Sequence, residues 1–281
     1  MNDAIKGMLA TYNCQTPSDY KNALKEIIQE VALLSLSRQD FFKNAAFYGG
    51  TAIRIAHKLD RFSEDLDFTL LKPDKSFKLD PYLKGLEQEF HSYGLTVSAT
   101  KIEKEKDSVV DSAFLKGNTL LLMMQIEGLE DPSSGTNKNE VLKVKFEIDT
   151  DPPLPSGETQ KLFHNNPIPF EYAILKLPSL YAGKLHAVLC RKRLKGRDFY
   201  DFAWYRKKGI TPDLPYLEAK LRESGHYTEK TPLTQDNLNN LLKKKFEDVD
   251  WEMAKRDVAP FIKDPFALKP WSKDYFIAML R

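Results

Sequence analysis

Six residues, Asp65-Leu66-Asp67-Phe68-Thr69-Leu70, constrain this chain more than any other stretch. Polar and apolar side chains alternate along it, the period-2 signal of a half-buried strand. Residues i and i+2 of a strand point the same way, so Asp65 and Asp67 share one face while Leu66, Phe68 and Leu70 pack the other into a core. Two carboxylates side by side repel each other unless a cation or a proton lies between them. Mg²⁺ is the natural filler, because it takes carboxylate oxygens and keeps positions open for phosphate.

Upstream, Phe47-Tyr48 predicts a short strand that ends in a tight turn at Gly49-Gly50, with Thr51 capping a short helix over Ala52 to Lys58. The glycines let backbone approach a ligand, and a threonine hydroxyl with free N–H groups at a helix N-terminus suits a phosphate. A D-x-D alone also describes a solvated strand edge. The preceding Gly-Gly-Thr, the helix between and the apolar strand through the carboxylates point instead to a metal-binding edge beside a phosphate cradle. The phosphatase pattern D-x-D-x-T matches residues 65–69 letter for letter. That motif closes a hydrophobic strand, whereas here Arg61-Phe62-Ser63-Glu64 precedes the aspartates and the apolar strand runs through them, so it is set aside.

The first quarter reads as helix. Thr16-Pro17-Ser18-Asp19 has the form of an N-cap with proline at the helix start, and Ala23, Ile27, Val31 and Leu34 mark an apolar stripe towards Leu36. A polar amphipathic helix is expected near Tyr82–Tyr93, and strands at Leu95–Ile102, Leu120–Ile126 and Val141–Thr150. Residues 152–170, rich in Pro and Asn, read as a loop or edge connection, and helix returns from Leu180. The expected fold class is therefore α/β (α+β): a mixed, largely antiparallel sheet with surrounding helices. Residues 1–165 form the sheet-bearing domain and 166–281 a mostly helical C-terminal part, with the boundary near 152–178.

Composition removes other classes. The 281 residues carry 42 basic and 40 acidic side chains, a net charge of +2, so bulk charge does not make this a general polyanion binder. Basic residues are nonetheless dense at Arg191-Lys192-Arg193-Leu194-Lys195-Gly196-Arg197 and recur at Arg206-Lys207-Lys208 and Lys243-Lys244-Lys245. Such runs suit a phosphate-rich partner or simply a solvated helix face. Cys14 and Cys190 cannot build a disulfide framework or a zinc site, and no apolar run is long enough to span a bilayer. The N-terminus lacks the pattern of a secretory signal, so a cytoplasmic location is expected. The five histidines show no metal-ligand spacing; His57 and His186 read as ordinary helix residues. Phe199, Tyr200, Phe202, Trp204 and Tyr205 suit helix packing, with stacking on RNA bases open to any that face outward.

Two further regions carry charge in a pattern. On the strand at 143–149, Lys145, Glu147 and Asp149 share the polar face, so either acid is placed to join Asp65 and Asp67. Lys184 and Arg191 lie seven residues apart on one helix face, and Asp198 and Asp201 lie one turn apart. Acids in a first helical turn also stabilise it through the helix dipole, and Asp201 fits that reading better than Asp198.

Gly49-Gly50-Thr51-Ala52 followed by Arg61-Phe62-Ser63-Glu64-Asp65-Leu66-Asp67-Phe68 resembles the first motif of the AbiEii/AbiGii-type nucleotidyltransferase toxins, members of the DNA polymerase β-like superfamily. The resemblance continues in Lys145-Phe146-Glu147-Ile148-Asp149, in Lys184-Leu185-His186-Ala187 and in Arg197-Asp198-Phe199-Tyr200-Asp201, and more faintly in Trp251 and Asp257–Ile262. It implies that Asp65 and Asp67 hold divalent ions, Mg²⁺ or Mn²⁺, with Glu147 as the favoured third carboxylate that activates the acceptor hydroxyl. It further implies that Gly50 and Thr51, helped by Ser63, contact the β- and γ-phosphates of an NTP. Lys184 would be a nucleotide-phosphate ligand and Asp198 part of the active-site rim, both supplied by the C-terminal part. Glu147 stands where many polymerase-like members carry Asp.

The expected function is thus Mg²⁺-dependent transfer of an NMP from an NTP to an acceptor, with the 3′ end of tRNA favoured. The chain would be the toxin of a toxin–antitoxin or phage-defence (abortive infection) pair, with an antitoxin encoded nearby. Nucleotidylation of a protein and a non-catalytic nucleotide- or RNA-binding module are the alternatives.

Overall fold

The computed structural model describes residues 2–101, 119–127 and 141–280. Its elements run α1 (Asp3–Ala10), α2 (Pro17–Arg38), β1 (Ala45–Tyr48), α3 (Gly49–His57), β2 (Leu66–Leu70), α4 (Asp80–Ser92), β3 (Thr96–Lys101), β4 (Thr119–Glu127), β5 (Leu142–Asp149), β6 (Thr159–His164) and β7 (Phe170–Leu175). Helices then follow: α5 (Leu177–Cys190), α6 (Gly196–Lys207), α7 (Leu214–Glu223), α8 (Gln235–Glu247), α9 (Trp251–Val258) and α10 (Lys273–Ala278).

The strands form one seven-stranded sheet in the order β3-β4-β5-β2-β1-β7-β6. Pairing is antiparallel at β3/β4, β4/β5, β1/β2 and β6/β7, and parallel at β2/β5 and β1/β7. The expected mixed, largely antiparallel α/β sheet is what forms. The alternation in β2 acts as read. Leu66, Phe68 and Leu70 are buried, and the Phe68 ring lies 5.0 Å from Phe41, 5.5 Å from Phe47 and 6.0 Å from Phe146 in an aromatic layer beneath the sheet. Apolar burial of this kind is the main force holding the strand in register.

Local signals place several elements. Thr16 accepts from the Asp19 N–H and Asp19 accepts from the Thr16 N–H, a complete capping box with Pro17 at the first helical position. The helix so started differs from its expected single stripe. Nearly every residue from Ala23 to Leu36 is buried, because α2 packs against α1, α4, β5 and β7 at once.

Residues 152–170 are not wholly loop. Thr159–His164 forms β6, an edge strand whose side chains alternate between exposed and half-buried, so it has no apolar face to announce it. Apolar β7 then lies inside the sheet between β1 and β6. The sheet therefore runs across the expected 165/166 boundary, which falls in the β6–β7 turn, and the helical part begins at Leu177. The strand expected over Leu95–Ile102 is β3; Ile102 itself lies outside the described residues. Among the described residues no helix is long and apolar enough to cross a membrane.

Candidate active site

The site begins at the β1–α3 junction. Gly49, at φ +85°, absorbs the whole change of direction, so α3 starts there and not at Ala52. Tyr48 is its N-cap, without a side-chain cap bond, and Thr51 lies inside the first turn and does not cap it. The Thr51 side chain is fully buried, and its Oγ1 donates to the Asp65 backbone carbonyl, tying the helix start to the base of β2. The first-turn N–H groups of α3 have no intrahelical acceptors, the ordinary basis of an anion site.

Both glycines are sterically required. A Cβ on Gly49 would lie 2.1 Å from Asp67 Oδ2; one on Gly50 would lie 2.7 Å from Arg61 Nη2 and 2.9 Å from Ser63 Oγ. The cradle is thus backbone pressed against Asp67, Ser63 and Arg61. Tyr48 pairs with Asp67 across the β1/β2 ladder, and Asp67 pairs with Glu147 across β2/β5, so these three sit in a row on one face. Asp65, two residues before Asp67, shares that face.

The carboxylates disturb one another as the sequence demands. Burial, then Glu147 and Asp65, push the Asp67 carboxyl well above the usual carboxylate range, and burial and Glu147 raise Asp65. Lys145 pairs with Glu147 and supplies part of the missing positive charge. Among the described residues no three Asp, Glu, His or Cys side chains close into a ready-made metal cage. The donors still suit a hard divalent cation. They are oxygen ligands, they lie beside a backbone anion cradle, and a nearby cation would lower their mutual repulsion.

Lys184, from α5, is close enough to ease the Asp67 charge. Its Nζ lies 2.8 Å from Asp198 Oδ1 and 2.8 Å from Asp201 Oδ2. Arg191 does not share the α5 face as expected: α5 ends at Cys190 and Arg191 is its extended C-cap, from which its Nε comes to 3.0 Å from Asp198 Oδ2, a charge contact and not an aligned hydrogen bond. Burial alone would raise the Asp198 carboxyl, but Lys184 and Arg191 hold it down at about 2.

Asp201 corrects the sequence reading. It is no exposed first-turn acid: it is fully buried and takes both branches of the Arg61 guanidinium at 2.6 Å. Arg61, itself 2% exposed, also donates to the Phe62 carbonyl. Sequence reasoning placed Arg61 in a motif without giving it a role. Its signal was position: an arginine four residues before the first aspartate, with a spare acid one turn past Asp198. The neighbouring Glu64 bonds to Lys25 of α2 at 2.7 Å and to Arg197 of α6 at 3.2 Å. The C-terminal segment also holds this loop. Phe62 N–H donates to the Phe261 carbonyl at 2.8 Å, and Asp257 accepts from the Gly196 N–H at 2.7 Å.

Of the residues expected from sequence, Asp65, Asp67, Glu147, Gly50, Ser63 and Thr51 gather at the β1–α3 junction, and Lys184 and Asp198 reach it from α5 and α6. A profile described as "Nucleotidyl transferase AbiEii toxin, Type IV TA system" matches residues 31–278, most of the chain. This chain belongs to the AbiEii nucleotidyltransferase toxin family. AbiEii membership makes it a nucleotidyltransferase of a type IV toxin–antitoxin system, with an NTP as substrate and an antitoxin as partner. Solved structures share the fold at low identity. MenT4, a nucleotidyltransferase toxin from Mycobacterium tuberculosis, superposes with a TM-score of 0.51 at 17% identity, covering 99% of this chain and 98% of its own. JHP933 from Helicobacter pylori gives 0.52 at 17% identity, over 92% and 90% of the two chains. No curated protein matches the chain.

Proposed function

We propose that this AbiEii protein transfers an NMP from an NTP to the 3′-hydroxyl of an RNA, with tRNA as the acceptor, and that it does so with Mg²⁺ bound at Asp65, Asp67 and Glu147. The observation that carries the reading is the close packing of the Gly49-Gly50 backbone on Asp67, one register step from Glu147. It sets a phosphate cradle directly against a carboxylate edge.

The chemistry is an in-line displacement. The acceptor 3′-oxygen attacks the α-phosphorus, the bond from that phosphorus to the β-bridging oxygen breaks, and pyrophosphate leaves with the electron pair. Glu147 takes the hydroxyl proton. The N–H groups at Gly50 and Thr51, with the Ser63 hydroxyl, hold the β- and γ-phosphates. Lys184 has three donors, of which Asp198 and Asp201 occupy two, and the third is directed to phosphate. Asp198 and Asp201 fix the lysine against the rim, and Arg61 fixes Asp201. When bound, the divalent ion supplies charge stabilisation for the attacking and leaving oxygens. In this reading the sheet-bearing part, which extends through β7, forms the catalytic unit, and the helical part from Leu177 contributes Lys184 and Asp198. The protein works in the cytoplasm beside an antitoxin encoded nearby.

A transfer assay decides it. Each α-³²P-labelled NTP is incubated separately with total tRNA, Mg²⁺ and either wild type or the Asp65→Ala/Asp67→Ala double variant. Label on RNA with wild type only is the expected result, and it gives the nucleotide choice at once. Label on protein would replace RNA with a protein acceptor. No label on either would refute transfer under these conditions.

A further inference from the structure

Two lysines sit where folding alone gives them little reason to be. Lys195 and Lys245 are both half-buried, yet neither ammonium makes a hydrogen bond or ion pair with any described residue. Lys195 is also the N-cap residue of α6, without a side-chain cap bond. That position favours an acid or a hydroxyl, and the helix dipole there opposes a cation. Burial, then Arg191 and Arg197, lower the affinity of Lys195 for its proton, so like charges crowd it.

Both lysines border one cavity of about 130 Å³ between the end of α5, the α5–α6 connection and the end of α8. Arg191, Lys192 and Arg193 complete one wall, and Asp248 lies on the other beside Lys245. Asp198 also lines it, but Lys184 and Arg191 already hold that carboxylate. The balance is an excess of positive charge in a space with room for a phosphate group. The cavity adjoins the Lys184 cluster, because Asp198 lines it and lies 2.8 Å from Lys184 Nζ.

We infer that this cavity seats a backbone phosphate of the RNA acceptor, close behind the 3′-hydroxyl that reacts. The inference rests on the RNA-acceptor reading above and adds the residues that grip the strand. The reading above gives the triphosphate its own cradle at Gly49–Thr51, and none of those residues lines this cavity. A second anion seat, bordered by Asp198 of the Lys184 cluster, therefore suits the acceptor strand. Lys195 and Lys245 neutralise the phosphodiester, and Lys192 and Arg193, exposed at the mouth, guide the strand in.

The test is RNA binding measured against salt. A fluorescent single-stranded RNA with a free 3′-hydroxyl is titrated with full-length wild type, Lys195→Gln, Lys245→Gln and the double variant, by anisotropy. In parallel, NTP affinity is measured on the same proteins. A single-strand phosphate contact contributes about 0.7 to the slope of log affinity against log salt. Each single variant should lose about 0.7 of that slope, and the double variant about 1.4, with NTP affinity at the wild-type value. Thermal midpoints report folding, and Lys192→Gln, at an exposed position, provides a second variant with the same expected direction. RNA binding by wild type with an unchanged slope in all variants would overturn the subsite while leaving the RNA reading intact. Weakened NTP affinity with an unchanged RNA slope would reassign the cavity to the triphosphate and overturn it likewise. Wild type that binds no RNA would overturn both.

Discussion

Gly49 does what no other residue type could at its position. Its φ of +85° turns β1 into α3, and its missing side chain lets the backbone rest on Asp67. Gly49→Ala is expected to cost about 1–3 kcal/mol from backbone strain. It should also abolish nucleotidyl transfer, since the added Cβ would displace the Asp67 carboxylate. Urea denaturation with a parallel transfer assay checks it; full activity in a destabilised variant would separate the cradle from catalysis. Asp67 carries the opposite kind of cost. Its folded carboxyl is raised, so its charge weighs against folding once pH exceeds the ordinary carboxylate value, and it does so at neutral pH. Asp67→Asn should therefore be more stable than wild type without metal, by on the order of 1 kcal/mol or roughly 2–4 °C. Wild type should gain stability on adding Mg²⁺, about 2.7 kcal/mol at a hundredfold excess over Kd, and Asp67→Asn should gain much less. Differential scanning calorimetry with Mg²⁺ or EDTA reads both.

Between elements, the Arg61–Asp201 pair is the cross-brace. It joins the loop before β2 to α6 through two hydrogen bonds in a site with almost no solvent. Asp201→Asn leaves Arg61 buried without the charge it pairs with and loosens Lys184, so it should cost about 3–5 kcal/mol. The double change Arg61→Met/Asp201→Leu removes both charges and should recover much of that stability while transfer stays impaired. Urea midpoints of the three proteins test this, and equal losses in single and double variants would refute it. The same scale explains what sequence reading lost. Neither β6 nor Asp201 shows its partner in its own residues: β6 lacks an apolar face, and Asp201 meets Arg61 from 140 residues away. β6 is stabilised by pairing with β7 and not by an apolar face of its own, and Asp201 reads as an ordinary helix-start acid until Arg61 is placed beside it.

At the scale of the molecule, the helical part closes the site electrostatically. Asp198 titrates at about 2, below the ordinary 3.8, because Lys184 and Arg191 favour its charged form against the pull of burial. A depressed carboxyl contributes stability that is present above the ordinary value and is lost as pH falls from 3.8 towards 2. The contribution is about 2 kcal/mol at neutral pH. Asp198→Asn should therefore flatten the stability profile across that acid window, measured by denaturation at stepped pH. An unchanged acid limb would show that Lys184 and Arg191 do not hold the carboxyl down.

The sequence by itself determined the Asp-x-Asp strand, the glycine turn before it, the capped start of α2 and the mixed sheet with helices beyond. Each of these rests on a local pattern, a two-residue alternation, a required φ or a cap, and local patterns are written in neighbouring residues. The sequence also determined the family, because the Gly-Gly-Thr, Asp-x-Asp, Lys184 and Arg-Asp motifs resemble it and its profile matches residues 31–278. Only the tertiary structure decided how those motifs meet. It showed that Thr51 spends its hydroxyl on the Asp65 carbonyl, that Asp201 is buried under Arg61 and Lys184, and that β7 crosses into the sheet. Charge pairing between residues 140 positions apart depends on distance in space and on the absence of water, and neither is encoded in spacing along the chain.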